Sequence, residues 1–170
     1  MFMASKLKNL SEYNSNEISA SKEFHFAIVI SEWNNEVTNS LCDGCIKTLV
    51  KHGAKESGIK IFRVPGSFEL TFACSELAKT KNFNAIIAIG CIIEGETRHF
   101  EFIAAAVANG ITLLNTQQNI PIIFSVLTTA SLQQALDRAG GKLGNKGVEA
   151  AVTALKMISL KIQINKRKKK

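Results

Sequence analysis

Few residues in this chain have side chains that suit bond-making chemistry, and the clearest is His99. It stands in the stretch GCIIEGETRHF, where an apolar run gives way to polar residues, and the chain has only three histidines. An imidazole with an ordinary pKa near ~6.5 gives and takes protons around neutrality. A histidine near a helix start is equally an ordinary structural residue. Trp33, the only tryptophan, follows the apolar run FHFAIVIS; it could stack on a flat heterocycle or pack at the core edge. Gly95, Glu96 and Thr97 lie where a strand passes into a helix. Free backbone N–H groups attract phosphate at such a place, although every helix start has them. Glu69 follows Pro65-Gly66 and suits the first turn of a helix through the dipole alone. Arg138 after Ala135-Leu136 reads as a solvated helix charge, and Phe124, inside PIIFSVL, reads as packing. Taken singly, these residues settle nothing.

The elements that must position them are easier to read. FHFAIVIS is a strand, and IKIFRV, AIIAIGCII and PIIFSVL are three more. Between the first two, Val37, Leu41, Cys45, Ile46, Leu49 and Val50 recur at helical steps. Asn34 or Asn35 can cap that helix, and Gly53 suits the left-handed position after its end. The spacing predicts a helix from about Ser67 to Lys79. A long one is marked by Phe100, Ile103, Ala104, Val107, Ile111 and Leu114. A short one lies over SLQQALDRAG, and Val148, Ala151, Val152, Leu155 and Ile158 mark the last. Strands alternating with helices imply a parallel βαβ sheet in one α/β domain. AIIAIGCII is apolar on both faces, so it belongs at the centre. In such folds chemistry gathers beyond the carboxyl ends of the strands. The segments EWNN, PGSFE, EGETRH and TTAS should therefore converge.

Composition narrows the class. The net charge of +7 looks like a nucleic-acid signal, but Lys166, Arg167, Lys168, Lys169 and Lys170 carry five of those charges, which leaves +2 for the rest. The tail has no aromatic residue or groove-reading element and reads as a solvated end rather than a nucleic-acid arm. Cys42 and Cys45 form one CxxC without a second ligand pair, so metal or redox use is not expected and core-facing thiols are. Reduced thiols fit the cytoplasm. The opening 23 residues are polar and lack a secretory apolar stretch, and no run reaches the ~18 apolar residues of a membrane span. The expected organisation is a polar arm over residues 1–23, one α/β domain over 24–162, and a basic tail over 163–170.

Three long motifs in fixed order give the residues a common meaning. VPGSFEL, GCIIEGETRHFEF and PIIFSVLTTASLQQALDRAGGKLGNKGVEAA resemble 6,7-dimethyl-8-ribityllumazine synthase, from about Phe24 to Leu160. The resemblance implies a three-layer flavodoxin-like fold, a four-stranded parallel sheet flanked by helices. It implies condensation of 5-amino-6-(D-ribitylamino)uracil with 3,4-dihydroxy-2-butanone 4-phosphate, releasing phosphate and water, with no cofactor or metal. By position in the motifs, His99 matches the proton-transfer histidine and Trp33 the aromatic stacked on the pyrimidine. Ser67, Phe68 and Glu69 match the segment holding the ribityl chain and ring, and Cys91, Ile92 and Ile93 the strand end lining the same substrate. Glu96 and Thr97 match the phosphate-binding turn, Arg138 the arginine paired with that phosphate, and Phe124 a ring-contacting aromatic. The resemblance also implies Lys146 as a further pyrimidine contact. In the family Phe124 and Arg138 come from the neighbouring subunit.

The same resemblance implies a homopentamer, and association with riboflavin synthase. The turn RAGGKLGNKGVE looks like the short form found in members that join pentamers into an icosahedral shell, so a shell is expected here. Three positions depart from the family pattern. Trp33 replaces the more usual phenylalanine, Glu94 a lysine or arginine, and Arg98 a common proline.

Overall fold

The computed structural model describes residues 23–167. Four parallel strands form the sheet: β1 (Phe26–Ser31), β2 (Ile59–Val64), β3 (Ala85–Ile93) and β4 (Ile122–Thr129), in the order β2-β1-β3-β4. The interior strands are the ones with apolar residues on both faces. All of β1 is buried, and so is β3 up to Ile92. Each such isoleucine or valine removes enough apolar surface from water to contribute about 1.5–3 kcal/mol. β2 lies at an edge and is correspondingly mixed, with Lys60, Ile61 and Arg63 exposed.

Five helices complete the domain: α1 (Asn35–Lys51), α2 (Leu70–Thr80), α3 (His99–Gln117), the short α4 (Leu132–Leu136) and α5 (Lys146–Arg167). Two apolar clusters divide the core by sheet face. One unites Leu41, Cys45 and Leu49 of α1 with Ala151 and Leu155 of α5 and with Ile28, Ile30, Ile87 and Ile89 of the sheet. The other unites Leu70 and Cys74 of α2, and Val107 and Ile111 of α3, with Val29, Ile86 and Ala88. The arrangement is the three-layer flavodoxin-like sandwich expected from the strand and helix periods. α1 and α5 come together at Gly147, where a Cβ would stand 1.8 Å from the carbonyl oxygen of Leu41, so no side chain fits there.

Three local features differ from the sequence reading. α2 begins at Leu70 rather than Ser67, because Ser67, Phe68 and Glu69 form a separate turn; there the Leu70 N–H donates to the Ser67 carbonyl (3.2 Å) and Gly66 N–H donates to Glu69 Oε2 (3.0 Å). Asn34 precedes α1, yet its side chain does not cap it. A small antiparallel hairpin, β5 (Ala139–Gly141) with β6 (Gly144–Asn145), occupies the glycine-rich turn before α5. Glycines hide such hairpins from pattern reading because they carry no side chains to alternate. Gly53 does take the left-handed conformation after α1, with φ 93°.

Candidate functional site

The loops after β1, β2 and β3 meet at the carboxyl edge of the sheet around a cavity of about 600 Å³. From β1 come Trp33 and Asn34; from the turn after β2 come Gly66, Ser67, Phe68 and Glu69. Strand β3 supplies Cys91, Ile92 and Ile93, and the passage into α3 supplies Gly95, Thr97, His99, Phe100 and Ile103. Nine of the positions singled out in the sequence thus share one wall system: Trp33, Ser67, Phe68, Glu69, Cys91, Ile92, Ile93, Thr97 and His99.

The lining is unequal. Trp33 is 73% exposed and Phe68 56%, two large rings left in solvent at the rim. Nothing in the chain's own core needs them there, and flat apolar faces beside a cavity suit stacking on a planar ligand. Below them Ser67 is buried, and its Oγ has no hydrogen-bond partner among the described residues. That oxygen is packed against Gly90 of β3, so the serine anchors the turn that carries Phe68 and Glu69. The Glu69 carboxylate, through its bond to Gly66 N–H, is held over the same turn. His99 is the first residue of α3, and its N–H faces Thr97 Oγ1 at 3.5 Å. Among the described residues, the cavity wall contains no lysine or arginine.

Four other candidates lie elsewhere. Glu96 is exposed in the loop before α3 and does not line the cavity. Phe124 is 45% exposed on the edge strand β4, so it is not packed in this chain's core. It lines a second groove, of about 530 Å³, with Lys146 and Glu149. Lys146 Nζ and Glu149 Oε2 are paired there at 2.7 Å. Arg138 follows α4, half-buried, and its Nη1 donates to the Gln134 carbonyl at 3.0 Å. Its backbone is fixed by the hairpin, since the Arg138 carbonyl accepts the Lys146 N–H at 2.8 Å. The adjoining Asp137 accepts from Lys142 and Gln133, which holds its carboxyl below the usual value.

Burial pushes the thiols up. Cys91, at the cavity, is raised to about 11, as is Cys42, where the charge of Asp43 adds to burial. Cys45 is also raised, so the CxxC pair lies as neutral thiols inside the core. Among the described residues no group of three or more His, Cys, Asp or Glu side chains could hold a metal ion, and no helix is long and apolar enough to cross a membrane.

Sequence reading had not assigned a site role to Asn34, Gly66, Phe100 or Ile103. Ile103 could have been found, because it stands one helical turn after His99 on the same face of α3. The sequence offers Asn34, or Asn35 beside it, only as a cap for α1.

A parallel α/β sheet with a polar, aromatic-rimmed cavity at its carboxyl edge defines a small-molecule-binding member of the flavodoxin-like class. The family profile of 6,7-dimethyl-8-ribityllumazine synthase matches residues 23–162, and the chain belongs to that family. Among its relatives, the 6,7-dimethyl-8-ribityllumazine synthase of Phocaeicola vulgatus is 48% identical over 164 residues, covering 96% of this chain and 98% of the relative. Those of Parabacteroides distasonis and Cytophaga hutchinsonii are 50% and 52% identical, each over 92% of this chain and 98% of the relative.

Proposed function

We propose that this protein is a cofactor-independent transferase making 6,7-dimethyl-8-ribityllumazine in riboflavin biosynthesis. It condenses 5-amino-6-(D-ribitylamino)uracil with 3,4-dihydroxy-2-butanone 4-phosphate and releases phosphate and water. The observation that carries this reading, beside the family match, is the single cavity that gathers Trp33, Ser67 to Glu69, Cys91 to Ile93, Thr97 and His99.

The reaction consists of imine formation, phosphate elimination and ring closure, which move protons about a carbonyl and an amine. It calls for two oriented substrates, an anion site and one acid–base group. In this reading the pyrimidine stacks on Trp33, and Ser67, Phe68 and Glu69 hold the ribityl chain and ring. The backbone at Cys91, Ile92 and Ile93 lines the ring edge, and His99 transfers protons between the condensing groups. Glu96 and Thr97 belong to the turn that receives the phosphate at the start of α3.

A phosphate needs more than backbone N–H groups, and among the described residues the cavity wall has no lysine or arginine. Phe124, on β4, and Arg138, after α4, do not line it, and this placement supports a site completed by a neighbouring copy. We assign Arg138 to the phosphate and Phe124 and Lys146 to the ring of a site on the adjacent subunit of a pentamer. Pentamers joined in a shell, association with riboflavin synthase and a cytoplasmic location extend the same reading. A non-enzymatic shell or flavin binder on this fold would have no use for the set of His99, Glu69 and Arg138. The test is direct: mix the purified protein with both substrates and follow lumazine fluorescence, whose failure to rise above the uncatalysed rate would refute the assignment.

A further inference from the structure

Trp33 stands at the cavity rim almost without side-chain support, so its backbone must set where its ring lies. That backbone is held from two sides. Toward the edge strand, Glu32 N–H donates to the Val64 carbonyl at 2.9 Å and Trp33 N–H to the Pro65 carbonyl at 3.2 Å. Toward the centre of the sheet, neither Glu32 nor Trp33 has a main-chain bond to β3 among the described residues. The β1–β3 pairing stops at Ile30 and Ile89, while β3 continues to Ile93.

Asn34 closes that gap. Its Nδ2 donates to the Cys91 carbonyl at 2.9 Å, across 57 residues of sequence. A carbonyl opposite the amide settles which end is nitrogen. Its backbone is left-handed, with φ 57° and ψ 46°, a region that asparagine tolerates far better than most residues. Its own carbonyl accepts N–H groups from Val37 (3.0 Å) and Thr38 (3.1 Å), starting α1. One residue therefore turns the chain, opens the helix and joins the Trp33 turn to the β3 segment that lines the cavity.

We infer that Asn34 is a positioning residue for the pyrimidine substrate: its amide fixes the Trp33 turn to the carboxyl end of β3, setting the gap into which the ring slides. This rests on the proposed function for the identity of the ligand, though the tether itself does not. Preorganisation of this kind lowers the ordering cost of binding. Loss of one hydrogen bond of ordinary strength weakens binding roughly three- to tenfold. The loss should fall on the stacked substrate and spare the phosphorylated ketone, whose contacts are placed at the α3 turn.

The test uses the full chain with Asn34→Gly and Asn34→Asp. Both residues tolerate the left-handed backbone; glycine deletes the amide, and aspartate keeps its size but turns a donor into an acceptor. Aspartate carries the test should the glycine variant fail to fold in a thermal melt. In both, KM for the ribitylaminouracil should rise roughly three- to tenfold, with KM for the ketone phosphate unchanged. Fluorescence anisotropy decay of Trp33, the sole tryptophan, should gain a fast local component without ligand. An unchanged KM for the pyrimidine, or an equal rise for both substrates, would overturn the inference. Wild-type protein that performs no condensation would instead refute the proposed function. The anisotropy comparison then decides the tether alone, and a decay identical to wild type rejects it.

Discussion

Gly90 and Ser67 compete for one volume: a Cβ on Gly90 would lie 2.6 Å from Ser67 Oγ. The glycine is on the central strand β3 and the serine is in the turn after the edge strand β2, so the missing methyl lets that turn reach inward. Leu70 Cδ1 and Val126 Cγ1 crowd the same point at 3.0 and 3.2 Å. Gly90→Ala should therefore overpack the site by about 1–3 kcal/mol and push Ser67 from its place on the cavity wall. Urea unfolding should show the lost stability, and KM for the ribityl substrate should rise. Wild-type values of both would mean that Ser67 yields freely and its position does not matter.

Buried thiols give the protein an alkaline limit. Cys42 and Cys91 are raised from 9.0 to about 11, and Cys74 to about 12, by burial above all. A group whose folded pKa is raised contributes stability that is fully present below its unfolded value. That contribution fades as pH climbs past about 9 and is gone once the folded groups ionise near 11 to 12. Urea midpoints should hold steady up to about pH 9, the unshifted thiol value, and fall above it. The Cys42→Ala and Cys91→Ala double variant should show a shallower fall. Equal slopes in the two proteins would assign the limit to other groups.

His99→Ala tests the proton-transfer role. Turnover should drop by roughly 10²-fold with binding of both substrates nearly intact. Wild-type turnover in the variant across the range where imidazole titrates would remove His99 from the chemistry.

How much was legible follows from where the information lies. Strand and helix periods gave β1 to β4 and the long helices, because burial on both faces of β3 and on one face of α3 leaves a direct trace in residue type. Parallel topology brought Trp33, Ser67 and His99 together, while TTAS after β4, expected beside them, does not line the cavity, and Cys91 was assigned only by the resemblance. The β5–β6 hairpin left no such trace in its glycines. Asn34 was misread because a helix-start asparagine looks the same in sequence whether its amide caps the helix or reaches 57 residues away to Cys91. The separation of Arg138 and Phe124 from the cavity cannot be read from types and spacing alone; the family resemblance was what assigned them to a second subunit.

That separation yields the sharpest prediction. If each site joins the cavity of one subunit to Arg138 of the next, a ring places His99 and Arg138 of any one chain in different sites. A His99→Ala oligomer and an Arg138→Ala oligomer are then each defective at every site, the second mainly through weaker binding of the phosphorylated ketone once its charge-assisted pair is lost. Unfolding the two together in equal amounts and refolding them should restore whole sites. An intact site forms where an Arg138→Ala subunit supplies the cavity and a His99→Ala subunit supplies the arginine, which random mixing gives at roughly a quarter of the contacts of a heterologous ring. Activity should recover to about that fraction at ketone-phosphate levels where neither variant works alone. Sedimentation on the same sample should show rings of five or shells built from them. A mixture no more active than its components, in particles of that size, would place each whole site within one chain. A monomer that retains full activity would refute the shared site and the ring together.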